Sequence, residues 1–360
     1  MADGYRIAVV GATGAVGQKV LQVLEERDFP LSELVPFASP RSQGRGLPFR
    51  GHELVCRALT QQAVQQFDLA FMAAGSSVSR EWAPRFADGG ALVIDKTSCW
   101  RMDPEVPLVV PEINPDAAAD ALLGRGIVSS PNCSTMALVM ALHPLHREAR
   151  VEEVIVSTYQ SVSGTGNAAV QELEDQSHAL LHRAQPPPPA VYPHQIAFNA
   201  LPHVETFAAG DGYSTEERKM MDETRKILGL GEDELHIVAT CVRVPVMVCH
   251  SESVRIRTRE PLEVERAREL LEQAEGVVLV DDPATNRYPT AIEAADRDEV
   301  FVGRLRHDPG QGGVRHLNMW VVADNLRKGA ATNAVQIAQL LHEQGLAGAQ
   351  QRAAWQPAVA

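Results

Sequence analysis

The chain has few cysteines, fewer positive than negative charges and no long apolar run. Each of these shortages argues against a class of protein or of binding partner. Its five cysteines are odd in number and form no Cys-x-x-Cys pair, which argues against a disulfide framework and favours reduced thiols in the cytoplasm. The formal net charge of −13 argues against nucleic acid or an anionic membrane as a partner. No apolar stretch is long enough to cross a bilayer, and the N-terminus lacks a signal peptide's apolar core.

The beginning of the chain predicts a dinucleotide-binding unit. Residues 7–10 are an apolar run typical of a buried parallel strand, and a glycine-rich turn precedes a helical pattern from residue 20. Glycines in such a turn let the backbone approach a pyrophosphate, which the helix N-terminus binds. A tight turn without a ligand is the alternative. The cofactor contacts expected from this turn are Gly11, Thr13, Gly14, Ala15, Val16 and Gly17.

The end of the second predicted strand, residues 34–38, favours NADP over NAD. An acidic residue usually follows this strand in NAD enzymes, but here Ser39, Arg41 and Ser42 follow it. Hydroxyls and a guanidinium suit a 2′-phosphate, although a solvated polar loop is the alternative. The next apolar run, residues 69–74, ends at Gly75 and Ser76, where the cofactor's phosphates or ribose can approach.

Alternating strand and helix signals predict a Rossmann-like, doubly wound parallel α/β sheet over residues 1–134. A second, sheet-rich α+β domain is expected over 135–324, and its predicted strands include residues 238–246. An amphipathic pattern over 329–341 predicts a helix that returns to the first domain and completes it with about 325–345. Residues 346–360 are expected to form a flexible tail, and the proline run 186–189 a spacer or lid edge.

One cysteine lies where a nucleophile is expected. Cys133 follows a predicted strand end at 127–128 and precedes a helical pattern over 136–142, which Pro144 should disturb. Backbone N–H groups and the helix dipole at such a junction favour a thiolate and can hold an oxyanion. A small buried cysteine that only packs is the alternative. Turn and capping residues on both sides favour the nucleophile.

With these features the sequence resembles the aspartate-β-semialdehyde dehydrogenase family, which interconverts aspartyl phosphate and aspartate semialdehyde with NADP. The resemblance runs from about Tyr5 to Leu341 through separated blocks in the family order. These blocks are 11–17, 38–44, 100–111, 131–135, 159–166, 243–251 and 324–341. Lysine, methionine, threonine and diaminopimelate biosynthesis is the context that this resemblance implies.

The resemblance also implies roles for individual residues. Cys133 would be the nucleophile, His250 the general acid/base and Gln160 the amide beside the nucleophile. The residues implied for substrate binding are Arg243 for the carboxylate, Arg101 and Lys219 for phosphate, Glu216 for the ammonium group, and Asn132. Further cofactor contacts are implied at Ser163, Gly164 and Asn325. Read without the resemblance, His250 is a structural histidine, and Glu216 and Lys219 belong to a solvated helix face.

Two positions depart from the family pattern. Lys96 stands where relatives commonly have asparagine, and Cys249 where they often have glycine, so phosphate affinity and the surroundings of His250 are expected to differ. A close enzymatic alternative is N-acetyl-γ-glutamyl-phosphate reductase, whose motif usually has glycine in place of Asn132. A non-catalytic dinucleotide-binding paralogue is another. The resemblance implies that the second domain supplies catalytic groups and the interface of a homodimer, with a tetramer open. The ligands that it implies are a small-molecule substrate, phosphate and NADP, without a metal.

Overall fold

A computed structural model describes residues 4–207, 210–309, 313–349 and 352 of the chain. They divide into two compact units, Met1–Pro131 with Ala330–Ala360, and Asn132–Gly329. The divisions thus fall at 131/132 and 329/330, whereas the sequence predicts 134/135 and 324/325. The first difference arises because a single helix begins at Cys133 and packs on second-unit strands. None of the described helices has the length and apolar character that a bilayer-spanning helix needs.

The first unit contains a six-stranded parallel sheet. Its strands and helices up to residue 129 are β1 (Tyr5–Val10), α1 (Ala15–Glu26), β2 (Leu31–Ala38), β3 (Gly46–Phe49), β4 (His52–Val55), β5 (Arg57–Ala58), β6 (Leu69–Met72), α2 (Ser76–Asp88), β7 (Leu92–Asp95) and β8 (Ile127–Ser129). Strand order is β5-β2-β1-β6-β7-β8, and β3 and β4 form a separate hairpin. The order reverses between β1 and β6, the point where open α/β sheets bind their ligands.

Alternate residues of the central strands enter separate cores on the two faces of this sheet. Ile7 and Val9 belong to one cluster with Phe71, whereas Ala8 and Val10 belong to the other. Such continuous burial explains why the strands read as unbroken apolar runs rather than as alternating patterns. The predicted doubly wound architecture is confirmed.

The second unit is built on a six-stranded mixed sheet. In chain order its elements are α3 (Cys133–Ala149), β9 (Val151–Gln160), α4 (Asn167–Leu181), α5 (Thr215–Leu228), β10 (His236–Arg243), β11 (His250–Thr258), α6 (Val264–Glu272), β12 (Val277–Leu279), α7 (Ala291–Ala294), β13 (Val300–His307) and β14 (His316–Ala323). Strand order is β10-β9-β11-β14-β13-β12. Helices α3 and α5 pack on this sheet, and Ile155 and Tyr159 of β9 are exposed.

Two local predictions for this unit are wrong. Helix α3 continues through Pro144 to Ala149, because burial of most of its length outweighs the roughly 3 kcal/mol that an internal proline costs. The strand predicted to reach Val246 ends at Arg243, before Pro245, which has no N–H to donate to a ladder. His250 is therefore the first residue of β11.

After residue 329 the chain returns to the first unit as helix α8 (Thr332–Glu343), which packs against α1. The flexible tail predicted from residue 346 is wrong where the structure describes it. Leu346 and Ala347 are buried in the same core as α8, and the Arg352 guanidinium donates to the carbonyl oxygens of both. The remaining residues of the predicted tail, 350, 351 and 353–360, lie outside the described residues.

Candidate active site

Three of the predicted site residues lie side by side at the ends of neighbouring strands in the second unit. Gln160, the last residue of β9, is in register with Arg243 of β10 on one side and with His250 of β11 on the other. Adjacent strands lie about 4.8 Å apart, and residues in register project from the same face. All three side chains are buried. The sheet therefore gathers an amide, a guanidinium and an imidazole into one row.

The candidate nucleophile begins helix α3 in the same unit. Asn132 is the N-cap, and its side-chain oxygen accepts hydrogen bonds from the Ser134 and Thr135 N–H groups at 2.9 and 3.1 Å. Cys133 is thus the first helical residue, at the positive end of the helix dipole. Gly329 lies against it so closely that a Cβ atom at 329 would be 3.0 Å from the Cys133 Cβ. Any larger residue at 329 would push against the nucleophile.

The Glu216 carboxylate links the helix start to the strand row. Its Oε1 accepts from the Asn132 Nδ2 at 2.9 Å and from the Gln160 Nε2 at 3.0 Å. Burial opposes ionisation, but the Lys219 ammonium, the two amides and the Arg243 guanidinium together lower the pKa of Glu216. The carboxylate therefore stays negative at pH 7 and fixes the amides on either side of the site.

Lys219 and Glu223 complete this cluster on helix α5. Lys219 forms ion pairs with Glu205 and, at 3.4 Å, with Glu216, so its ammonium group belongs to a carboxylate cluster rather than to a solvated face. Glu223 accepts from the Asn132 backbone N–H at 2.6 Å. Sequence reasoning missed Glu223, because its helical position gives no signal of a partner 91 residues away.

The imidazole of His250 is held in one tautomer. Its Nδ1 accepts from the Ser161 N–H at 3.0 Å, so the neutral ring carries its proton on Nε2. Burial and then the Arg243 guanidinium lower the pKa of His250 to about 3, so the ring is neutral at pH 7. Nε2 is buried and has no hydrogen-bond partner within the described residues. Nε2 is therefore a hydrogen-bond donor whose capacity the described residues do not use.

Gly164 shows that His250 and Arg243 face the same space. A Cβ atom at 164 would lie 3.2 Å from the His250 Nε2 and 3.3 Å from the Arg243 Nη1. Arg243 donates from Nη1 to the Ser161 carbonyl oxygen at 2.5 Å, whereas its Nε is buried without a partner among the described groups. One glycine backbone thus borders both a proton donor and a cation with unused hydrogen-bonding capacity.

Ser163 and Asn325, two of the predicted cofactor contacts, belong to the hydrogen-bond network around His250. The Asn325 Oδ1 accepts from the hydroxyls of Ser161 and Ser163 and from the Cys249 N–H. Cys249 has a φ of +73°, and its side chain packs in an apolar cluster with Phe301 and Val322. This departure from the family pattern therefore fills a core rather than adding a thiol beside Nε2.

The turn after β1 in the first unit is shaped to admit a dinucleotide. Gly11 has a φ of +85°, and a Cβ there would lie 2.8 Å from the Ala73 backbone. A Cβ at Gly17 would meet the Gly11 carbonyl oxygen at 2.2 Å. Gly14 is the N-cap of α1 and has no side chain to satisfy the first N–H groups. The turn thus leaves that helix end to a ligand, and Thr13, Ala15 and Val16 belong to the same segment.

The other first-unit candidates follow the carboxyl ends of β2 and β6. Ser39 and Arg41 are exposed in a short 3₁₀ turn at residues 40–42, which also carries Ser42. Gly75 is the N-cap of α2 and Ser76 its first residue. All of them lie at the same edge of the parallel sheet as the glycine turn, the edge at which such sheets bind nucleotides.

Arg101 and Lys96 are cations of the first unit. Arg101 is buried and donates to the carbonyl oxygens of Ser130 and Lys96, at 3.0 and 2.8 Å. The Lys96 ammonium donates to the Pro131 carbonyl oxygen. Both cations therefore contact the segment that immediately precedes the N-cap of α3 in the chain.

Glu252 is a buried acid that sequence reasoning missed. It lies two residues after His250 on β11, hence on the same face of the sheet, and is fully buried. Both carboxyl oxygens lack a hydrogen-bond partner in the described part of the chain. Burial and then the negative Glu216 raise the pKa of Glu252 well above its usual value, so the group is a neutral acid. The two-residue period of a strand, which places Glu252 on the same face as His250, could have identified it from the sequence.

Both units match known families. Residues 6–121 match a model described as "Semialdehyde dehydrogenase, NAD binding domain" and residues 142–328 one described as "Semialdehyde dehydrogenase, dimerisation domain". Aspartate-semialdehyde dehydrogenase of Aquifex aeolicus is 51% identical over 348 residues, which cover 95% of this chain and 99% of that protein. The Bacillus subtilis protein of that name is 45% identical over 354 residues, covering 96% and 100%.

A solved structure is also similar along nearly the whole chain. The crystal structure of aspartate semialdehyde dehydrogenase II from Vibrio cholerae complexed with ASA matches with a TM-score of 0.90 and 42% identity. The match covers 95% of this chain and 99% of that one. Fold and sequence thus point to the same family across both units.

We predict that Glu252→Gln changes the pH dependence of stability. As pH rises above the ordinary carboxyl pKa of 4.5, the unfolded chain releases the Glu252 proton and the native protein keeps it, so the wild type loses stability. Above about pH 5, the free energy of unfolding of the variant should therefore rise relative to that of the wild type, by up to about 1.4 kcal/mol per pH unit. Urea unfolding at several pH values measures this difference.

The matched control is Glu260→Gln, which changes an exposed glutamate of the same unit and should follow the wild-type profile. A Glu252→Gln difference that stays constant over this pH range would show that Glu252 is ionised in the native protein.

Proposed function

Because the chain belongs to the aspartate-semialdehyde dehydrogenase family, we propose that it catalyses the NADP-dependent, reversible reductive dephosphorylation of L-aspartyl 4-phosphate to L-aspartate 4-semialdehyde. This reaction serves lysine, methionine and threonine biosynthesis. One observation carries the proposal: the Glu216 carboxylate joins the N-cap of Cys133 to the row that contains Gln160, Arg243 and His250. A nucleophile, a proton donor and an anion anchor in one unit suit acyl transfer.

In the oxidative direction, the Cys133 thiolate forms a C–S bond to the aldehyde carbon, and the carbonyl electron pair moves to oxygen. The start of helix α3 favours both the thiolate and negative charge at this position. With a bound nicotinamide as the hydride acceptor, return of the oxygen's electron pair would expel hydride from the tetrahedral carbon and leave the acyl group on Cys133 as a thioester. Attack by a phosphate oxygen on the thioester carbon breaks the C–S bond and releases the acyl phosphate and the thiolate.

His250 donates from Nε2 to the oxygen that becomes negative at the tetrahedral carbon. This role follows from the tautomer that the Ser161 N–H imposes, since a neutral ring with its proton on Nε2 is a hydrogen-bond donor there. The Gln160 amide, held by Glu216, orients the same intermediate. The general acid/base role that the family resemblance implies for His250 thus takes the form of hydrogen-bond donation to the developing oxyanion from a preset position.

The charges of the second unit fit an amino-acid substrate. Arg243, with its buried and unpartnered Nε, binds the α-carboxylate, because charge-assisted guanidinium–carboxylate bonds are strong. The anionic Glu216 supplies the opposite charge for the α-ammonium group. Lys219 and Arg101 are the residues proposed for the phosphate, and Lys96, whose carbonyl oxygen accepts from Arg101, is expected to change the phosphate affinity.

The first unit fits a dinucleotide with a 2′-phosphate. When bound, this cofactor supplies the hydride acceptor of the oxidation or the hydride of the reduction. The uncapped start of α1 binds its pyrophosphate. Arg41, with Ser39 and Ser42, binds the 2′-phosphate after β2, and Gly75 and Ser76 take up its remaining polar groups. Ser163, Gly164 and Asn325 are the second-unit positions at which the family resemblance implies further cofactor contacts.

The exposed face of the second-unit sheet supports a homodimer. Ile155 and Tyr159 of β9 are 42% and 39% exposed, and the Tyr159 ring packs on Trp320 of β14 with centroids 5.3 Å apart. Apolar and aromatic side chains on an open sheet face favour burial against a second chain. The match to a dimerisation domain is the second support.

We predict that sustained reduction of NADP by L-aspartate 4-semialdehyde, beyond a single turnover, requires phosphate as a co-substrate. The nicotinamide absorbance is followed while each component is left out in turn. Cys133→Ser should lose at least about a thousandfold in kcat, because a hydroxyl is a far poorer nucleophile at neutral pH, while cofactor binding by fluorescence titration remains.

Phosphate-dependent activity of the Cys133→Ser variant would contradict the assignment of the nucleophile. Activity only with N-acetylglutamate 5-semialdehyde would show that the protein is the reductase of the longer substrate. Inactivity with both aldehydes despite cofactor binding would identify a non-catalytic paralogue.

We predict that Arg41→Ala weakens NADP binding by about 10- to 100-fold, because a charge-assisted hydrogen bond contributes about 1.5–3 kcal/mol. NAD binding should change less than about twofold, since NAD lacks the 2′-phosphate. The dissociation constants of NADP and NAD are measured for the wild type and the variant. Gln43→Ala, which changes an exposed residue of the same turn, is the control. Equal losses for NADP and NAD would show that Arg41 does not contact the 2′-phosphate.

A further inference from the structure

Residues 186–201, which include the proline run, form a strap that is fixed along helix α4. Two buried side chains of α4 accept its backbone N–H groups. Glu172 accepts from Ala190 and Val191 at 2.7 and 2.6 Å, and Gln176 accepts from the N–H groups of residues 196 and 197 at 3.0 and 3.2 Å. These bonds replace the regular structure that a proline-rich segment cannot form.

The strap ends on the backbone of Arg243. Leu201 and Arg243 exchange two hydrogen bonds, from the Leu201 N–H to the Arg243 oxygen at 2.9 Å and from the Arg243 N–H to the Leu201 oxygen at 2.8 Å. This bridge lies beside the register between Arg243 and Gln160. The strap therefore reaches the row of site residues without contributing a charged group to it.

Tyr192 of the strap also contacts the Arg243 side chain. The guanidinium carbon lies 5.9 Å from the centre of the Tyr192 ring, within the range of a cation–π interaction. The Tyr192 hydroxyl donates to the Thr165 Oγ1 at 3.0 Å, and Thr165 follows Gly164, whose backbone borders the Arg243 Nη1. The ring is thus fixed at both ends, by the strap backbone and by Thr165.

The contacts leave one edge of the guanidinium for a ligand. Nη1 donates to the Ser161 oxygen, the Tyr192 ring lies at the guanidinium, and Nε is buried without a partner among the described groups. A guanidinium held on these sides presents its remaining donors in one orientation, which reduces the entropy lost when a planar carboxylate binds.

We propose that Tyr192 is a positioning residue for substrate recognition: it holds the Arg243 guanidinium in the orientation that binds the substrate's α-carboxylate. This inference rests on the proposed role of Arg243. Tyr192 acts only through Arg243 and not on the reacting carbon. Its loss therefore weakens binding of the semialdehyde and leaves the steps at Cys133 intact.

The test is the steady-state kinetics of Tyr192→Ala, Tyr192→Leu and Tyr192→Phe. A cation–π contact at a partly buried site predicts that the alanine and leucine variants raise the KM of the semialdehyde about 3- to 30-fold. The KM values of phosphate and NADP and the value of kcat should change less than about threefold. Tyr192→Phe keeps the ring and should stay within about threefold of wild type throughout.

The matched control is Val191→Ala, which trims the neighbouring exposed side chain and keeps its backbone bond to Glu172. It should behave as wild type. Thermal unfolding checks that every variant is folded, and the leucine variant replaces the alanine variant if only the latter unfolds. An unchanged KM, an equal rise in the phosphate KM, or a phenylalanine variant as weak as alanine would overturn the proposal.

A second readout does not depend on turnover. L-2-Aminobutyrate has the α-carboxylate and ammonium group but no reactive carbonyl, so it should protect Cys133 from alkylation by iodoacetamide. Tyr192→Ala should raise the half-protecting concentration about 3- to 30-fold, and Tyr192→Phe should not. Catalytic inactivity of the wild type with intact protection would reject the proposed reaction alone. Absence of protection in the wild type would overturn the role of Arg243 and with it that of Tyr192.

Discussion

The buried Glu216 carboxylate is the interaction on which the candidate active site depends. It accepts from the Asn132 side chain, which caps the helix of Cys133, and from Gln160, which lies between Arg243 and His250. A negative charge removed from water is costly unless donors surround it, and Lys219 with the two amides provides them. Hydrogen bonds from both sides stabilise the Glu216 charge, so the start of helix α3 and the strand row keep their relative positions.

Neighbouring buried groups in the second unit have different charge states. Glu216 is ionised, whereas Glu252, which is buried and accepts no hydrogen bond from any described residue, is a neutral acid. His250 is neutral because burial and Arg243 oppose a second positive charge. The surroundings thus set opposite states for two buried glutamates and leave Nε2 of His250 as a donor. Such pairs of groups with separated pKa values are characteristic of acid–base sites.

Sequence patterns predicted those features that follow from local structure. The glycine turn after β1, the junction at Cys133 and the end of β9 at Gln160 could be predicted because periodicity and turn residues are local signals. The contacts of Glu216 cannot be predicted from sequence patterns, because Asn132 lies 84 residues away in the chain. Leu346 and the strap residue Tyr192 were missed for the same reason: their roles come from tertiary contacts of segments that look irregular in sequence. Helix α3 passes Pro144 because its burial overrides propensity.

The central claim is that Cys133 carries the acyl group between hydride transfer and phosphate attack. The most direct measurement mixes enzyme with L-aspartate 4-semialdehyde and excess NADP in the absence of phosphate, follows NADPH formation rapidly, and identifies the modified peptide by mass spectrometry. The account predicts a burst of about one NADPH per subunit and an aspartyl group on the peptide that contains Cys133. Steady turnover without phosphate and without a modified Cys133, or the acyl group on another residue, would contradict it.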